Sequence, residues 1–135
     1  MKRIFGNLLK ITLFLDFLIT FGFGLVSWFF PHETFGTILL IPQTSEPLTL
    51  AILSSLSTFY VLTSLVCFIG IKASFPVNIW IAGIMIIRHL WIGMTGIRDM
   101  NQDWIIGNPY PDIIIHSGFV LVYIVACFYL IRLKE

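Results

Sequence analysis

The sequence predicts an all-α fold, an integral membrane four-helix bundle. Of its 135 residues, 58% are hydrophobic and 11% are charged, and the mean hydropathy is +0.96. A soluble domain carries about 25% charged residues. A soluble domain of this size cannot bury so much apolar surface, so lipid is the expected solvent. The apolar residues fall into four runs, each close to the roughly 20 residues that a helix needs to cross a bilayer.

The predicted spans form one domain over residues 1–135 and cover about 7–30, 48–71, 76–97 and 112–132. An interfacial Trp28 and Pro31 close the first span, and "TSEPLTL" opens the second. The stretch "KASFP" predicts a tight turn between the second and third spans. Pro111 suits the first turn of the fourth helix, because a proline there loses no helical hydrogen bond.

Loop charges predict the direction of the spans. Arg98 is the only basic residue on the side of the 31–47 and 98–111 loops. The side that holds the two termini carries the other basic residues outside the spans or at their ends: Lys2, Arg3, Lys10, Lys72, Arg132 and Lys134. Basic residues concentrate on the cytoplasmic side, so both termini are expected in the cytoplasm and the protein in the bacterial cytoplasmic (inner) membrane. A net charge of +1 without a basic tract argues against a nucleic-acid partner.

Each predicted span carries one stripe of polar or small residues, three or four positions apart. Such positions share one face of a helix. The stripes are Thr12, Asp16, Thr20, Gly24 and Ser27; Ser57, Tyr60, Ser64 and Cys67 with Ser54 beside them; Arg88 with Met85, Ile92 and Thr95, and His89 with Ala82, Gly93 and Gly96; and Asp112, His116, Tyr123 and Cys127. In lipid these faces are expected to turn toward one another.

Asp16 and Arg88 are the only charged residues deep in the predicted spans, and they have opposite signs. A helical rise of 1.5 Å per residue places both near the midplane, together with Tyr60 and Tyr123. A lone arginine there costs roughly 2.5–3.5 kcal/mol on insertion scales. A facing carboxylate offsets that cost, especially in a bidentate pair. We therefore expect an Asp16–Arg88 pair inside the bundle, with one of the two tyrosines hydrogen-bonded to it.

Two interpretations of this pair remain open. One is a structural ion pair that fixes helix register, and the other is an ion, proton or anionic-ligand site, since ionisable residues inside a membrane are commonly functional. The candidate ligand or ion site comprises Asp16, Arg88, Tyr60, Tyr123, His89 and His116. No metal ligand set and no catalytic residue are predicted, because no Ser-His-Asp order, HExxH or phosphate loop is present.

The histidines and cysteines offer weaker hypotheses. His89 and His116 are candidate ligands of haem b, but their depths differ by about 6 Å on the helical rise. Bis-histidine ligation needs similar depths, so no cofactor is expected and each histidine is expected to be a hydrogen-bonded buried or interfacial residue. Cys67 and Cys127 are expected to be ordinary buried thiols near the reducing side. The small hydroxyl residues Ser54, Ser57, Thr58 and Ser64 are expected to pack and to hydrogen-bond across helices.

Three stretches carry a family resemblance. The first span ends in "GLVSWFFP", the second closes with "FYVLTSLVCFIGI", and the third contains "GIMIIRHLWIGMTGIRD" with an arginine in mid-helix. Together they resemble the small DoxX-like four-helix membrane proteins, over residues from about 8 to 130. The resemblance matches Arg88 to that family's in-helix arginine. Many relatives would carry an acidic residue where His116 stands, so no site role is carried over to that position.

The resemblance implies more about fold than about function: some members accompany membrane oxidoreductases acting on the quinone pool, and many have no assigned activity. The leading hypothesis is a binding or accessory membrane subunit, which holds a small molecule, lipid or quinone or docks to a larger membrane complex. The alternative is a proton, ion or small-solute transporter or channel-like oligomer that uses Asp16 and Arg88. A haem-binding cytochrome subunit or an enzyme is third. The expected partners are membrane lipid, a second copy or larger complex, and a small hydrophobic ligand.

Overall fold

The computed structural model of the protein describes residues 2–31, 47–99 and 110–132, and these ranges are helical apart from short connections. The four helices are α1 (Lys2–Phe29), α2 (Pro47–Lys72), α3 (Val77–Asp99) and α4 (Tyr110–Arg132). The all-α prediction is confirmed, and all four helices are long and apolar enough to cross a membrane. Helix α1 begins at Lys2 rather than at residue 7, since lysine and arginine are good helix formers.

The helices form an antiparallel bundle in chain order. Helix α1 packs against α2 and α4, and α3 packs against α4 and α2, so α1 and α3 face each other diagonally. Residues 73–76 connect α2 to α3. The ends of the bundle are named here by two residues. The Lys72 end is where α1 and α3 start and where α2 and α4 terminate. The Asp112 end is the opposite end of the bundle.

The described surface of the bundle is apolar, whereas its interior holds polar groups. Large hydrophobic side chains such as Trp80, Ile87 and Trp91 are exposed. The buried polar or charged residues are Thr12, Asp16, Thr20, Ser27, Ser57, Ser64, Asn78 and His89. The expected inward turn of the polar stripes is therefore confirmed for these residues except Asn78, which belonged to no predicted stripe. An apolar exterior around a polar interior fits lipid as the solvent.

The small hydroxyl residues of α2 behave differently from the prediction. The Ser57 hydroxyl donates to the Leu53 carbonyl at 3.0 Å, and the Ser64 hydroxyl donates to the Val61 carbonyl at 2.6 Å. Thr58 likewise donates to the carbonyl of Ser54, a residue that is itself exposed. The expectation of cross-helix hydrogen bonds is wrong for Ser57, Thr58 and Ser64, because a carbonyl about one turn earlier on the same helix is the nearest acceptor.

The apolar part of the core lies between the cluster around Asp16 and the Lys72 end. Its buried members include Leu9, Leu13, Ile81, Ala82 and Leu130. Both cysteines belong to it and are free and buried, as expected for ordinary thiols: the Cys67 Sγ lies 3.2 Å from the Met85 Sδ, and Cys127 lies on α4. The polar cluster described next therefore lies between this apolar half and the Asp112 end.

Candidate functional site

Asp16 of α1 is the centre of a buried polar cluster. Its side chain is 1% exposed. Its Oδ1 accepts hydrogen bonds from Arg88 Nη1 at 3.0 Å and from the Thr20 hydroxyl at 2.9 Å. Its Oδ2 accepts from His89 Nε2 and from the Tyr123 hydroxyl, both at 2.9 Å. A carboxylate offers about four lone-pair positions, so these donors satisfy it fully.

The expected pairing of Asp16 with Arg88 is present, but it is not bidentate. Arg88 Nη1 binds Asp16, whereas Nη2 donates to the Thr20 hydroxyl at 3.2 Å. His89 and Tyr123 already occupy the second carboxylate oxygen, so the guanidinium cannot take both oxygens. Thr20 lies one turn after Asp16, and its hydroxyl accepts the hydrogen bond from the second guanidinium nitrogen, Nη2.

Two tyrosines reach this pair in different ways. Tyr123 of α4 is fully buried and supplies the expected hydrogen bond to Asp16. Tyr60 of α2 contributes its ring, whose centroid lies 5.9 Å from the guanidinium carbon of Arg88, within the range of a cation–π contact. All four helices therefore contribute a side chain to the same cluster.

The cluster compensates the charge of Arg88 in a nearly water-free position. The Arg88 side chain is 9% exposed, and Nε has no hydrogen-bond partner among the described residues. The guanidinium group as a whole contacts the Asp16 carboxylate, the Thr20 hydroxyl and the Tyr60 ring. Removing one member of such a buried pair leaves an uncompensated charge. The cluster is thus strongly constrained in composition, whether its role is structural or functional.

His89 and His116 contact each other, although their Cα depths on the helical rise differ. Their Nδ1 atoms are 2.6 Å apart and their ring centroids 4.9 Å apart. The helical rise locates only the Cα atoms. A histidine side chain can reach about one helical turn along the axis from its own Cα, so the two rings can still meet. Helices α3 and α4 also lie close together here: a Cβ built on Gly93 would lie 4.0 Å from the His116 Cβ. Both histidines are hydrogen-bonded, with His89 buried and His116 partly buried, as expected for buried or interfacial residues.

The two histidines extend the cluster toward the Asp112 end. His116 Nε2 lies 3.3 Å from Asp112 Oδ1, and Asp112 is 48% exposed. The ring of His89 stacks on Phe119 at a centroid distance of 4.8 Å and an interplanar angle of 3°. A continuous chain of polar contacts therefore runs from the buried Asp16 to a carboxylate at the surface of the bundle.

The ring nitrogens leave no place for an iron between the two histidines. Each Nε2 faces a carboxylate, and the two Nδ1 atoms face each other. Two metal–nitrogen bonds of about 2 Å each would need the nitrogens to lie roughly 4 Å apart. Within residues 2–31, 47–99 and 110–132, no group of three or more His, Cys, Asp or Glu side chains could hold a metal ion. The absence of haem stays a prediction, and the positions of the four ring nitrogens now support it.

Sequence reasoning did not include Thr20, Asp112 or Phe119 among the site residues. Two of them carried a visible signal. Thr20 follows Asp16 by four residues and Asp112 precedes His116 by four, so each shares a helix face with a predicted site residue. Phe119 has the same spacing, three residues after His116 and four before Tyr123. Its residue type gave no signal, because an aromatic residue among aliphatic ones is ordinary in a membrane helix.

A groove between α3 and α4 borders the cluster on the outside of the bundle. Its volume is about 320 Å³. His89 and Ser117 are polar members of its wall, and the rest is mainly apolar, including Leu90, Met94 and Val120. His89 thus belongs both to the Asp16 cluster and to a groove that opens onto the helix surface.

Comparison of the chain with known proteins gave no relative: no family model matches, and no curated protein or solved structure matches. The resemblance to DoxX-like proteins accordingly stays a prediction. The role of this cluster is inferred from its own contacts, burial and charges.

Proposed function

We propose that this protein is a small integral membrane subunit that binds a lipophilic molecule in the groove between α3 and α4. The observation that carries the proposal is the double position of His89. A purely structural ion-pair cluster needs no contact with a groove, whereas here one ring of the cluster forms part of the groove wall. Binding sites for small molecules are typically apolar, with a few polar groups that fix orientation.

The chemistry of the groove selects a class of ligand. Leu90, Met94 and Val120 offer apolar contacts to a hydrocarbon chain or ring, and His89 and Ser117 offer polar contacts to a head group. The volume of about 320 Å³ lies at the lower end of the roughly 300–1,000 Å³ typical of ligand pockets. A membrane lipid, a quinone and other small hydrophobic molecules share this chemistry.

Native mass spectrometry of protein released from its own membrane in mild detergent tests the proposal. The wild type is expected to retain a small molecule, and Gly93→Leu is expected to lose it, because the new side chain enters the groove wall. Gly83→Leu is the matched control on α3: a Cβ at Gly83 meets nothing within 4 Å, and Gly83 does not line the groove. An unliganded wild type, or equal retention in both variants, would contradict the proposal.

The same measurement addresses the accessory role. A larger membrane complex that uses this subunit would appear as a co-purifying protein of defined stoichiometry. We propose the orientation indicated by the loop charges, with the Lys72 end in the cytoplasm and the Asp112 end outside. The groove and the exposed Asp112 then lie in the outer half of the bilayer.

One observation favours the transport alternative, which is the polar chain from Asp16 to Asp112. Toward the Lys72 end, the described interior is mainly apolar, with Leu9, Leu13 and Leu130 among its members. The hydroxyls buried there, on Thr12 and Ser64, bond to carbonyls of their own helices, and the buried Asn78 Oδ1 has no hydrogen-bond partner among the described residues. One protomer therefore provides half of a pathway, and a complete one would need a second copy or a partner protein. Gly96 faces Ile113 of α4 within the same chain, so it serves the packing of α3 on α4.

A further inference from the structure

The hydrogen bonds of the two buried rings indicate which nitrogen of each histidine carries the proton. The Asp16 carboxylate only accepts, so His89 Nε2 donates to it at 2.9 Å. A neutral His89 then accepts at Nδ1, and His116 Nδ1 is the donor of the 2.6 Å hydrogen bond between the rings. Two neutral imidazoles satisfy both hydrogen bonds. In this arrangement the Nε2 atom of His116 carries a lone pair and no proton.

The lone pair of His116 Nε2 lies beside a carboxylate oxygen. Asp112 Oδ1 is 3.3 Å away, one turn earlier on α4. Both atoms are acceptors, so they form no hydrogen bond with each other, and a cation near both could bind to both. Asp16 and Arg88 offset each other's charge, so Asp112 supplies the remaining negative charge of the polar chain. The pair is therefore suited to a cation.

We propose that His116 Nε2 and Asp112 Oδ1 bind a divalent cation of the zinc class at the Asp112 end of the bundle. Zinc binds nitrogen and oxygen ligands at about 2.0–2.2 Å with tetrahedral geometry, which places two such ligands roughly 3.3–3.5 Å apart. The observed 3.3 Å lies within this range, so the side chains need little movement. The inference goes beyond the binding function proposed above and does not depend on what the groove holds.

The donor atoms select the class of cation. Imidazole nitrogen suits zinc and its transition-metal neighbours, whereas magnesium and calcium prefer sites made of oxygen alone. No third His, Cys, Asp or Glu joins this pair within the described part of the chain, so water is expected to complete the coordination. Asp112 is 48% exposed, which gives water access. A carboxylate oxygen so close to Nε2 leaves no room for a porphyrin ring but does not hinder a hydrated ion.

The buried cluster holds His116 in the orientation that this site needs. A histidine that binds a metal typically donates its other ring N–H to a fixed acceptor, which sets the tautomer and the ring orientation. Here the acceptor is His89 Nδ1, and His89 is itself fixed by its hydrogen bond to Asp16 and by stacking on Phe119. His89 and Asp16 are thus positioning residues for the proposed site.

Calorimetric titration of the full-length protein in detergent, purified without a histidine tag, tests the inference with Zn²⁺ and Mg²⁺ as probes. The wild type is expected to bind one Zn²⁺ per chain and no Mg²⁺. His116→Gln and Asp112→Asn are each expected to abolish measurable Zn²⁺ binding. His32→Gln is the matched control, because it removes the only other histidine of the chain, and it is expected to bind like the wild type.

A wild type that binds no Zn²⁺, or binds Mg²⁺ equally well, would overturn the proposal. Zn²⁺ binding that persists in His116→Gln, or that is lost in His32→Gln, would also overturn it. Thermal melting without metal checks that the variants fold. If His116→Gln does not fold, Asp112→Asn decides, because Asp112 is half-exposed and asparagine has nearly the same shape.

Nitrogen-15 NMR of histidine-labelled protein tests which nitrogen binds the metal. Zn²⁺ is expected to shift the Nε2 signal of His116 and to leave His89 Nε2 protonated, since that proton is bound to Asp16. A shift confined to other ring nitrogens, or no shift at His116, would contradict the assigned site.

Discussion

At the scale of single residues, Asp16 organises the site. Its two oxygens receive donors from α1, α3 and α4, and each donor is fixed by a second contact or by burial. Arg88 is one of these donors and binds only one oxygen. A buried charge is stabilised by hydrogen bonds as well as by an opposite charge. The midplane arginine is therefore compensated by a network, of which the ion pair is one part.

Tyr123→Phe is expected to destabilise the protein by about 1.5–3 kcal/mol, the typical contribution of a hydrogen bond to a charged group. The ring remains, so the loss reports the hydroxyl that donates to Asp16. Tyr129→Phe is the matched control on the same helix. Tyr129 is exposed and stacks on Phe5 through its ring, so its change is expected within about 0.5 kcal/mol. Unfolding in a denaturing detergent titration measures both, and equal losses would contradict the assignment.

His89 and His116 are expected to bind no haem, because all four ring nitrogens already have partners within the chain. A visible absorption spectrum of protein purified from cells supplied with haem precursor checks this expectation. No Soret band should appear. A Soret band that is lost in both His89→Ala and His116→Ala would show that the rings separate to ligate iron.

At the scale of helices, the sequence predicted what depends on local pattern. Runs of apolar residues located the four helices, and polar residues spaced three or four apart predicted their inward faces. Asp16 and Arg88 could be paired in advance because α1 and α3 run in the same direction and their Cα depths are similar. The contact between His89 and His116 could not, because it depends on side-chain reach and on the spacing of α3 and α4. The hydrogen bond of the Ser57 hydroxyl could not be predicted either, because its acceptor is the Leu53 carbonyl on the same helix rather than a group on a neighbouring one.

Glycine positions on α1 give a prediction about helix packing. A Cβ at Gly24 would lie 2.9 Å from Val61 Cγ2 and 3.0 Å from the Val61 backbone nitrogen, so α1 and α2 touch there. Gly24→Ala is expected to cost about 1–3 kcal/mol through overpacking. Gly22→Ala, two residues earlier, meets nothing within 4 Å and is expected to be neutral or stabilising. Equal thermal stability of the two variants would contradict this account of the α1–α2 contact.

At the scale of the whole molecule, the bundle combines an apolar exterior with a polar interior that is off-centre. The buried charges and histidines extend toward the Asp112 end, whereas the other half of the core is mainly apolar and carries no buried charge among the described residues. Each helix contributes to the cluster, so the charged groups also tie α1 to α3 across the bundle diagonal. A site with access from one end only fits a binding subunit better than a complete channel in one protomer.

The loop charges predict that both termini lie in the cytoplasm. Single cysteines introduced as Ser45→Cys and Ile105→Cys, in a background without Cys67 and Cys127, are expected to react with a membrane-impermeant maleimide added to intact cells. Cysteines placed at the termini are expected to react only after the membrane is opened. The reverse labelling pattern would place the Asp112 end in the cytoplasm and contradict the proposed orientation.

A double-mutant cycle on Asp16 and Arg88 tests the central claim most directly, which is that these two residues from diagonal helices stabilise each other inside the bundle. Asp16→Asn and Arg88→Gln are each expected to lower the free energy of unfolding in detergent by about 3–5 kcal/mol, because each leaves its partner as an uncompensated buried charge. The double variant is expected to lose less than the sum of the two. Lys72→Gln combined with Asp16→Asn is the control, since Lys72 lies at the far end of α2, and its effect is expected to add. Losses for Asp16 and Arg88 that add within about 0.5 kcal/mol would contradict the account.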